Sequence, residues 1–203
     1  MSPSMKNIIL ASTSPRRKEL MELLCVPFEV RASNYEEDMT LALPPEELVQ
    51  HLAVCKAQAV AVGVSAGLVI GGDTIISLDG RVMGKPHTEE NAQEMLRALR
   101  GKTHQVLTGL AVIDVETGQT RQAINITNVT FKPYTDKEIT DYVQTGEPLD
   151  RAGAYAIQGY ASLFVQEIHG DYFGVLGLSL TDLAALLKEF GIDVWEGIVG
   201  SVV

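Results

Sequence analysis

The sequence is poor in the features that mark secreted, membrane-bound or nucleic-acid-binding proteins. Only two cysteines occur in 203 residues, which is too few for a disulfide framework. Acidic residues outnumber basic ones by 26 to 16, and the resulting net charge of -10 disfavours a long nucleic-acid backbone as a partner. No apolar run approaches the roughly 20 residues that span a membrane, and the apolar part of "MSPSMKNIIL" is too short for a signal peptide. We therefore expect a cytoplasmic protein that binds neither nucleic acid nor membrane.

Several catalytic signatures are missing as well. There is no Walker A loop, which excludes a P-loop nucleotidase, and no "GxSxG" turn, which excludes the usual serine hydrolase elbow. The histidines show no zinc-ligand spacing with the cysteines; they are His51, His87, His104 and His169. We expect Cys25 and Cys55 each to lie within a helix as a small buried side chain. A small anion remains a compatible ligand if basic residues are concentrated locally.

Apolar periodicity and turn residues predict a single α/β domain over residues 1–203. With 46% hydrophobic residues, the chain is long enough to bury one sizeable core. Helical spacing and cap residues predict helices over 14–25, 45–62, 88–101, 135–146 and 181–191. Strand patterns occupy 67–78, 81–86, 104–115, 122–131 and 162–168, with tight turns at Asp79-Gly80 and Thr117-Gly118. Because hairpins alternate with helices, we expect a mixed sheet with flanking helices.

The start of the first predicted helix has an unusual charge pattern. In "ILASTSPRRKEL" an apolar run stops at Ser12, and Ser14 is a plausible N-cap. The first turn then carries Arg16, Arg17 and Lys18, which repel the positive end of the helix dipole by about 0.3–1 kcal/mol each. These side chains could simply point into solvent. Consecutive basic residues directly after a strand instead favour a bound anion such as phosphate, held by backbone N–H groups and guanidinium forks.

Asp73 interrupts the apolar strand "GLVIGGDTIISL". An unpaired buried carboxylate is costly, so it needs a neighbouring cation or a shifted pKa. Asp73 could also cap a turn at the end of a strand, but "IISL" continues the strand beyond it. The preceding Gly71 and Gly72 leave room for a close approach to the backbone. We therefore expect a functional role for Asp73.

Further charged residues occupy unexpected positions. Lys56 falls on the apolar face of the second helix, although its stem could equally carry the ammonium outward to solvent. Continuing the ladder from the hairpin turn would set Lys85 beside Thr74 and close to Asp73; alternatively, Lys85 is an ordinary turn lysine. The acidic run at 36–38 is either a solvated loop or a group of Mg²⁺ ligands.

These groups suit the hydrolysis of a phosphate anhydride, which needs cations, a metal and a base that orients water. At this point the sequence resembles the Maf-type nucleotide pyrophosphatases over residues 8–192. The resemblance rests on an ordered series of motifs: "LASTSPRRKELM", "YEED", "KAQAV", "GGDT", "GKP", "GAYAIQG" and "GDYFGVLGL".

The resemblance implies a fold like that of the inosine triphosphate pyrophosphatases, with an active-site cleft between two lobes. It also implies cleavage of a nucleoside triphosphate to the monophosphate and pyrophosphate, a divalent cation (Mg²⁺ or Mn²⁺) and a homodimer. Matched by motif, the residues implied for catalysis are Asp73, Lys56 and Lys85, with Asp73 as proton acceptor. Those implied for metal binding are Glu37 and Asp73. Those implied for substrate binding are Ser12, Arg16, Arg17, Thr74 and Gln158.

Three positions resemble the dTTP/UTP subclass of this family: Arg16, Thr74 and Gln158. Modified pyrimidine nucleotides would fit a similar pocket. Ser179 stands where relatives often have proline, but it can still cap the following helix. The tail 193–203 lies outside the match and could be an edge strand, a dimer contact or disordered.

Two other functions remain open from the sequence. One is a purine house-cleaning pyrophosphatase. The other is a regulatory binding protein that acts in septum formation without catalysis, for which Asp73 would be dispensable.

Overall fold

A seven-stranded mixed β-sheet runs through the part of the chain that the structure describes, residues 6–38 and 41–200 of a computed structural model. The strands are β1 (Ile8–Leu10), β2 (Glu29–Val30), β3 (Leu68–Leu78), β4 (Arg81–Met83), β5 (Thr103–Asp114), β6 (Thr120–Phe131) and β7 (Val165–His169). Their order is β2-β1-β3-β5-β6-β7, with β4 paired to the end of β3. β1 is parallel to both β2 and β3, and the other pairs are antiparallel. The expected mixed sheet is therefore confirmed.

Helices cover both faces of this sheet. They are α1 (Pro15–Glu22), α2 (Pro45–Ala61), α3 (Glu89–Leu99), α4 (Asp136–Val143), α5 (Tyr172–Leu176), α6 (Leu180–Glu189) and α7 (Val194–Gly200). Short 3₁₀ turns occupy Glu147–Asp150, Ala152–Ala154 and Tyr160–Phe164. The predicted N-caps are confirmed at Ser14, Thr88 and Ser179, and Thr135 and Glu138 form the predicted capping box. No helix among the described residues is long and apolar enough to cross a membrane.

Helix α2 lies unusually close to the sheet because two strand residues lack a side chain. A Cβ at Gly71 would collide with the Ala53 carbonyl, and one at Gly109 would lie 2.5 Å from the Val49 carbonyl. The space that Gly71 provides is therefore filled by α2 and not by a ligand. A Cβ at Gly72 would instead point to the opposite face, toward the side chain of Arg17. The larger part of the core lies on that opposite face, beneath α1, α3, α4 and α6.

The two predicted hairpins are confirmed. Asp79 and Gly80 both have positive φ, 52° and 77°, as a type I′ turn requires. The β5–β6 hairpin closes at Gly118, whose φ is 70° and whose N–H donates to the Asp114 carbonyl.

Other expectations were wrong in detail. The first helix ends at Glu22, and Cys25 lies beyond it, exposed and with φ 51°, so it is not a buried helical residue. Cys55 does lie in α2 and is half-buried. The strand predicted at 162–168 begins only at Val165, because a 3₁₀ turn precedes it. Residues Val194–Gly200 of the tail form helix α7 and not an edge strand, and residues 201–203 lie outside the described chain.

Candidate active site

A cleft of about 820 Å³ opens where the sheet is interrupted. β1 pairs with β3 only through Ile70, and β4 pairs with β3 only from Ile76 onward. Residues 71–75 of β3 therefore have no strand neighbour on that edge within the described chain. The cleft is lined by five basic side chains and three acidic ones: Arg16, Arg17, Lys56, Lys85 and Arg151, and Glu37, Asp73 and Asp150. Positive charge thus predominates in the cleft of a chain whose net charge is -10.

Arg17 enters the cleft from the first turn of α1. Ser14 caps this turn by accepting from the Arg17 backbone N–H. The guanidinium donates to the Gly177 carbonyl (2.8 Å), to Thr74 Oγ1 (3.2 Å) and, at 3.5 Å, to Ser12 Oγ. Burial lowers the pKa of Arg17, but a guanidinium remains charged in proteins. No carboxylate of residues 6–38 or 41–200 forms an ion pair with it, so the site provides a half-buried cation for an external anion.

The other two basic residues of this turn, Arg16 and Lys18, lie in different environments. Arg16 is half-buried and lines the cleft. Burial lowers the pKa of Arg16, and the nearby charge of Arg151 lowers it further. Lys18 is exposed, lies 3.7 Å from Glu22 and is not among the residues that line the cleft, so its predicted contact with the anion was wrong.

Asp73, Lys56 and Glu37 form a compact charged cluster. Lys56 Nζ donates to Asp73 Oδ1 at 2.5 Å and lies 2.6 Å from Glu37 Oε1. The Lys56 side chain is only 13% exposed, which excludes the alternative that it extends into solvent. Asp73 lies within β3, opposite Gly109, so it does not cap a strand end. Burial raises the pKa of the Asp73 carboxyl, while Lys56 and Arg17 oppose that rise.

The predicted position of Lys85 was wrong. The β3–β4 ladder ends at Met83, and Thr74 is paired with Thr108 of β5. Lys85 does line the cleft, but its Nζ lies 2.6 Å from Asp150 Oδ1 in an exposed ion pair. Lys85 therefore lines the cleft without extending the β3–β4 ladder to Thr74.

Gln158 is not brought to the cleft. It is exposed in a turn in which the Gly159 N–H donates to the Ala156 carbonyl. Its neighbours Tyr155 and Ile157 line the cleft, whereas Gln158 does not. The predicted contact between Gln158 and a nucleotide base therefore has no support in this geometry.

Several residues in and beside the cleft are not identifiable as site residues from the sequence. Arg151 follows the 3₁₀ turn that carries Asp150 and lines the cleft, where its charge acts on Arg16. Tyr155 donates or accepts a 2.8 Å hydrogen bond with His104 Nε2, and burial lowers the pKa of His104 to about 4, so this imidazole is neutral. The local signal for Arg151 is the pair of charges at 150–151, one residue before the motif "GAYAIQG".

The acidic side chains can supply part of a metal site. No cluster of three or more His, Cys, Asp or Glu side chains suited to a metal occurs in the described part of the chain. Glu37 and Asp73 nevertheless lie side by side, since Lys56 Nζ contacts one carboxylate oxygen of each. Mg²⁺ is commonly held by one or two carboxylates together with substrate phosphates. The donor set therefore fits a divalent cation that is shared with a phosphorylated ligand.

Together, the mixed sheet and its cationic cleft define an α/β protein with a site for a phosphate-bearing ligand. The family model described as "Maf-like protein" matches residues 7–190. The chain belongs to this family, as the ordered motifs predicted.

Known proteins agree with this assignment. The chain is 50% identical over 190 residues to a dTTP/UTP pyrophosphatase of Bacillus cereus (strain G9842), covering 94% of this chain and 98% of that one. It is 48% identical to a dTTP/UTP pyrophosphatase of Desulforamulus reducens, covering 94% of this chain and 100% of the relative. A solved structure of a HAM1 protein from Coxiella burnetii has 18% identity and a TM-score of 0.50, covering 91% and 100% of the two chains. That likeness confirms the expected fold.

Proposed function

We propose that this protein hydrolyses dTTP and UTP, and modified pyrimidine nucleotides of similar shape, to the monophosphate and pyrophosphate. The half-buried Arg17 guanidinium, which has no carboxylate partner in the described chain, is the observation that supports an anionic substrate most directly. The choice of substrate follows relatives that are about half identical and are called dTTP/UTP pyrophosphatases.

In the proposed mechanism the basic side chains bind the phosphates before any bond changes. Arg17 and Arg16 approach from α1, Lys85 from the segment after β4, and Arg151 from between two 3₁₀ turns. Holding the triphosphate between them fixes the α-phosphorus for attack by water, and pyrophosphate is the leaving group. Pyrimidine preference is assigned to Arg16 and Thr74, while the role of Gln158 rests on the family motif alone.

Asp73 is the proposed general base. Its carboxyl lies in the cleft, and its raised pKa brings it closer to the range in which a base is effective near neutral pH. Lys56 keeps the carboxylates of Asp73 and Glu37 oriented toward the same point. Glu37 and Asp73 would hold the divalent cation, Mg²⁺ or Mn²⁺. When bound, that cation supplies positive charge that neutralises the phosphate oxygens.

The test is product analysis with purified protein and dTTP, UTP, CTP, GTP and 7-methyl-GTP. Phosphate should be detected only after inorganic pyrophosphatase is added, and dTTP and UTP should have the highest kcat/KM. Free phosphate without that coupling enzyme would contradict pyrophosphate release, and preference for 7-methyl-GTP or another purine would contradict the substrate choice. An unchanged ranking in Gln158→Glu would remove Gln158 from the specificity residues.

Absence of turnover on every nucleotide would favour the alternative of a regulatory binding protein in septum formation. In that case Asp73→Asn should keep the biological function of the wild-type protein.

The proposal includes a homodimer in the cytoplasm. Helix α7 supports a protein contact, because Trp195 and Val199 are 67% and 64% exposed. Light scattering should give twice the 22.0 kDa chain mass. Trp195→Ser should shift the protein toward the monomer if α7 forms the contact.

A further inference from the structure

A chain of hydroxyl groups leads from Arg17 into the protein interior. Arg17 Nη2 donates to Thr74 Oγ1 at 3.2 Å, and Thr74 Oγ1 lies 2.9 Å from Thr108 Oγ1. Thr108 Oγ1 is in turn 2.7 Å from the Gly174 carbonyl. Thr108 is fully buried on β5, directly opposite Thr74 of β3. Two carbonyls in and directly after α5 accept these hydrogen bonds. The Gly174 carbonyl accepts from Thr108, and the Gly177 carbonyl accepts from Arg17 Nε.

The direction of every hydrogen bond in this chain is determined. A carbonyl can only accept, so Thr108 uses its one hydroxyl proton on Gly174. Thr108 then has no proton left for Thr74, and Thr74 must donate to it. A guanidinium can only donate, so Thr74 accepts from Arg17. Thr74 therefore presents only lone pairs to Arg17 and to the cleft.

We infer that Thr108 is a positioning residue for anion binding. It accepts the hydroxyl proton of Thr74, so Thr74 Oγ1 acts only as an acceptor toward Arg17. This hydrogen bond holds the Arg17 guanidinium in place. Without Thr108, the Thr74 hydroxyl is free to rotate its proton toward Arg17, where a donor would meet a donor. Thr108 touches neither the ligand nor the reacting atoms. The identity of the anion, a nucleotide phosphate chain, rests on the proposed function, whereas the hydroxyl chain does not.

The experiment compares Thr108→Val, which keeps the shape and removes the hydroxyl, with Thr108→Ser, which keeps the hydroxyl. Calorimetric binding of inorganic triphosphate is measured together with kcat and KM for dTTP. We expect about tenfold weaker triphosphate binding for Thr108→Val, the order expected for a hydrogen bond to a charged group, and near wild-type binding for Thr108→Ser. KM should rise more than kcat falls.

A double-mutant cycle separates this role from a purely structural one. In a Thr74→Val background, Thr108→Val should cause no further loss of binding, because the acceptor that it orients is already gone. Additive losses, or unchanged binding in the Thr108→Val single variant, would overturn the inference. If Thr108→Val does not fold, Thr108→Ala takes its place in the same cycle.

The two proposals can fail independently. If Thr108→Val weakens triphosphate binding but causes no further loss in the Thr74→Val background, the role of Thr108 stands. If the wild-type protein at the same time hydrolyses no nucleotide, the proposed function is refuted. If the wild-type protein hydrolyses dTTP but the losses of binding from Thr108→Val and Thr74→Val are additive, only the role of Thr108 is refuted.

Discussion

Half-buried Arg17 and buried Asp73 carry opposite charges and influence each other's pKa without forming an ion pair. Each is held by other groups: Arg17 by neutral oxygens, and Asp73 by Lys56. Direct contact would neutralise both, whereas their separation leaves one cation for a phosphate and one carboxylate for a water molecule. The arrangement is thus suited to bring an anion and its nucleophile together.

Replacing Asp73 by Asn should lower kcat by about 10²–10⁴-fold, the usual cost of losing a general base. The pKa of Asp73 is raised in the folded protein, so between the ordinary and the raised pKa the native state binds more protons than the unfolded state. Stability contributed by this group therefore falls as pH rises through that window, and Asp73→Asn should be at least as stable as wild type at pH 7. Steady-state kinetics and urea denaturation test both points. Near wild-type turnover would contradict the role as base.

Arg17→Met should weaken triphosphate binding and leave the ligand-free protein equally or slightly more stable. The substitution removes a half-buried charge that lacks a carboxylate partner in the described chain, while methionine keeps much of the volume. Lys18→Met is the matched control, because Lys18 lies in the same turn but is exposed outside the cleft. Calorimetry and urea denaturation measure the two effects. A loss of more than about 1 kcal/mol in the ligand-free Arg17→Met protein would make Arg17 a structural residue.

At the scale of elements, the close contact between α2 and the sheet fixes the distance from Lys56 to Asp73. Gly109→Ala would place a Cβ 2.5 Å from the Val49 carbonyl, so helix and strand must separate. We expect a loss of about 1–3 kcal/mol in the free energy of unfolding, typical of overpacking, together with reduced kcat. Gly84→Ala is the control, since no atom lies within 4 Å of its added Cβ. Equal stability of the two variants in urea would refute this account.

Local chemistry made some elements and site residues predictable. Asp79-Gly80 and Thr135 act through neighbours a few residues away, so turn and cap could be read from the sequence. Arg17 and Asp73 stood out because each charge conflicted with its immediate surroundings.

Contacts between distant segments could not be predicted in this way. The β4 ladder ends at Met83 because the Gly84 carbonyl accepts from the Gly153 N–H, and this bond turns Lys85 toward Asp150. Thr108 resembles any other threonine in a strand, and its role depends on Thr74, 34 residues away. Gln158 carries a family motif, but the turn that exposes it is followed by backbone N–H groups of Tyr160 and Ala161 that donate to Glu147, a contact the motif does not indicate.

At the scale of the whole molecule, an acidic protein concentrates cations in one cleft. A ligand that binds only the native state stabilises it, by about 2.7 kcal/mol at 100 times its Kd. For a chain of this size, that corresponds to a rise in Tm of about 5–10 °C. We expect inorganic triphosphate to produce this rise in a thermal melt, and sodium chloride at equal ionic strength to produce none. Loss of the rise in Arg17→Met would link it to the cleft, and an equal rise in that variant would contradict the site.

The interrupted edge of β3 has a mechanical consequence. β1 and α1 stand at one end of the interruption and β4 at the other, and β3, backed by β5, is the strand that runs continuously between them. Adjacent strands in a sheet are twisted relative to one another, so a change in the twist of this pair rotates the two walls of the cleft against each other. The width of the cleft would therefore change with the twist of this strand pair. A ligand that contacts both walls would restrict this rotation of the walls against each other.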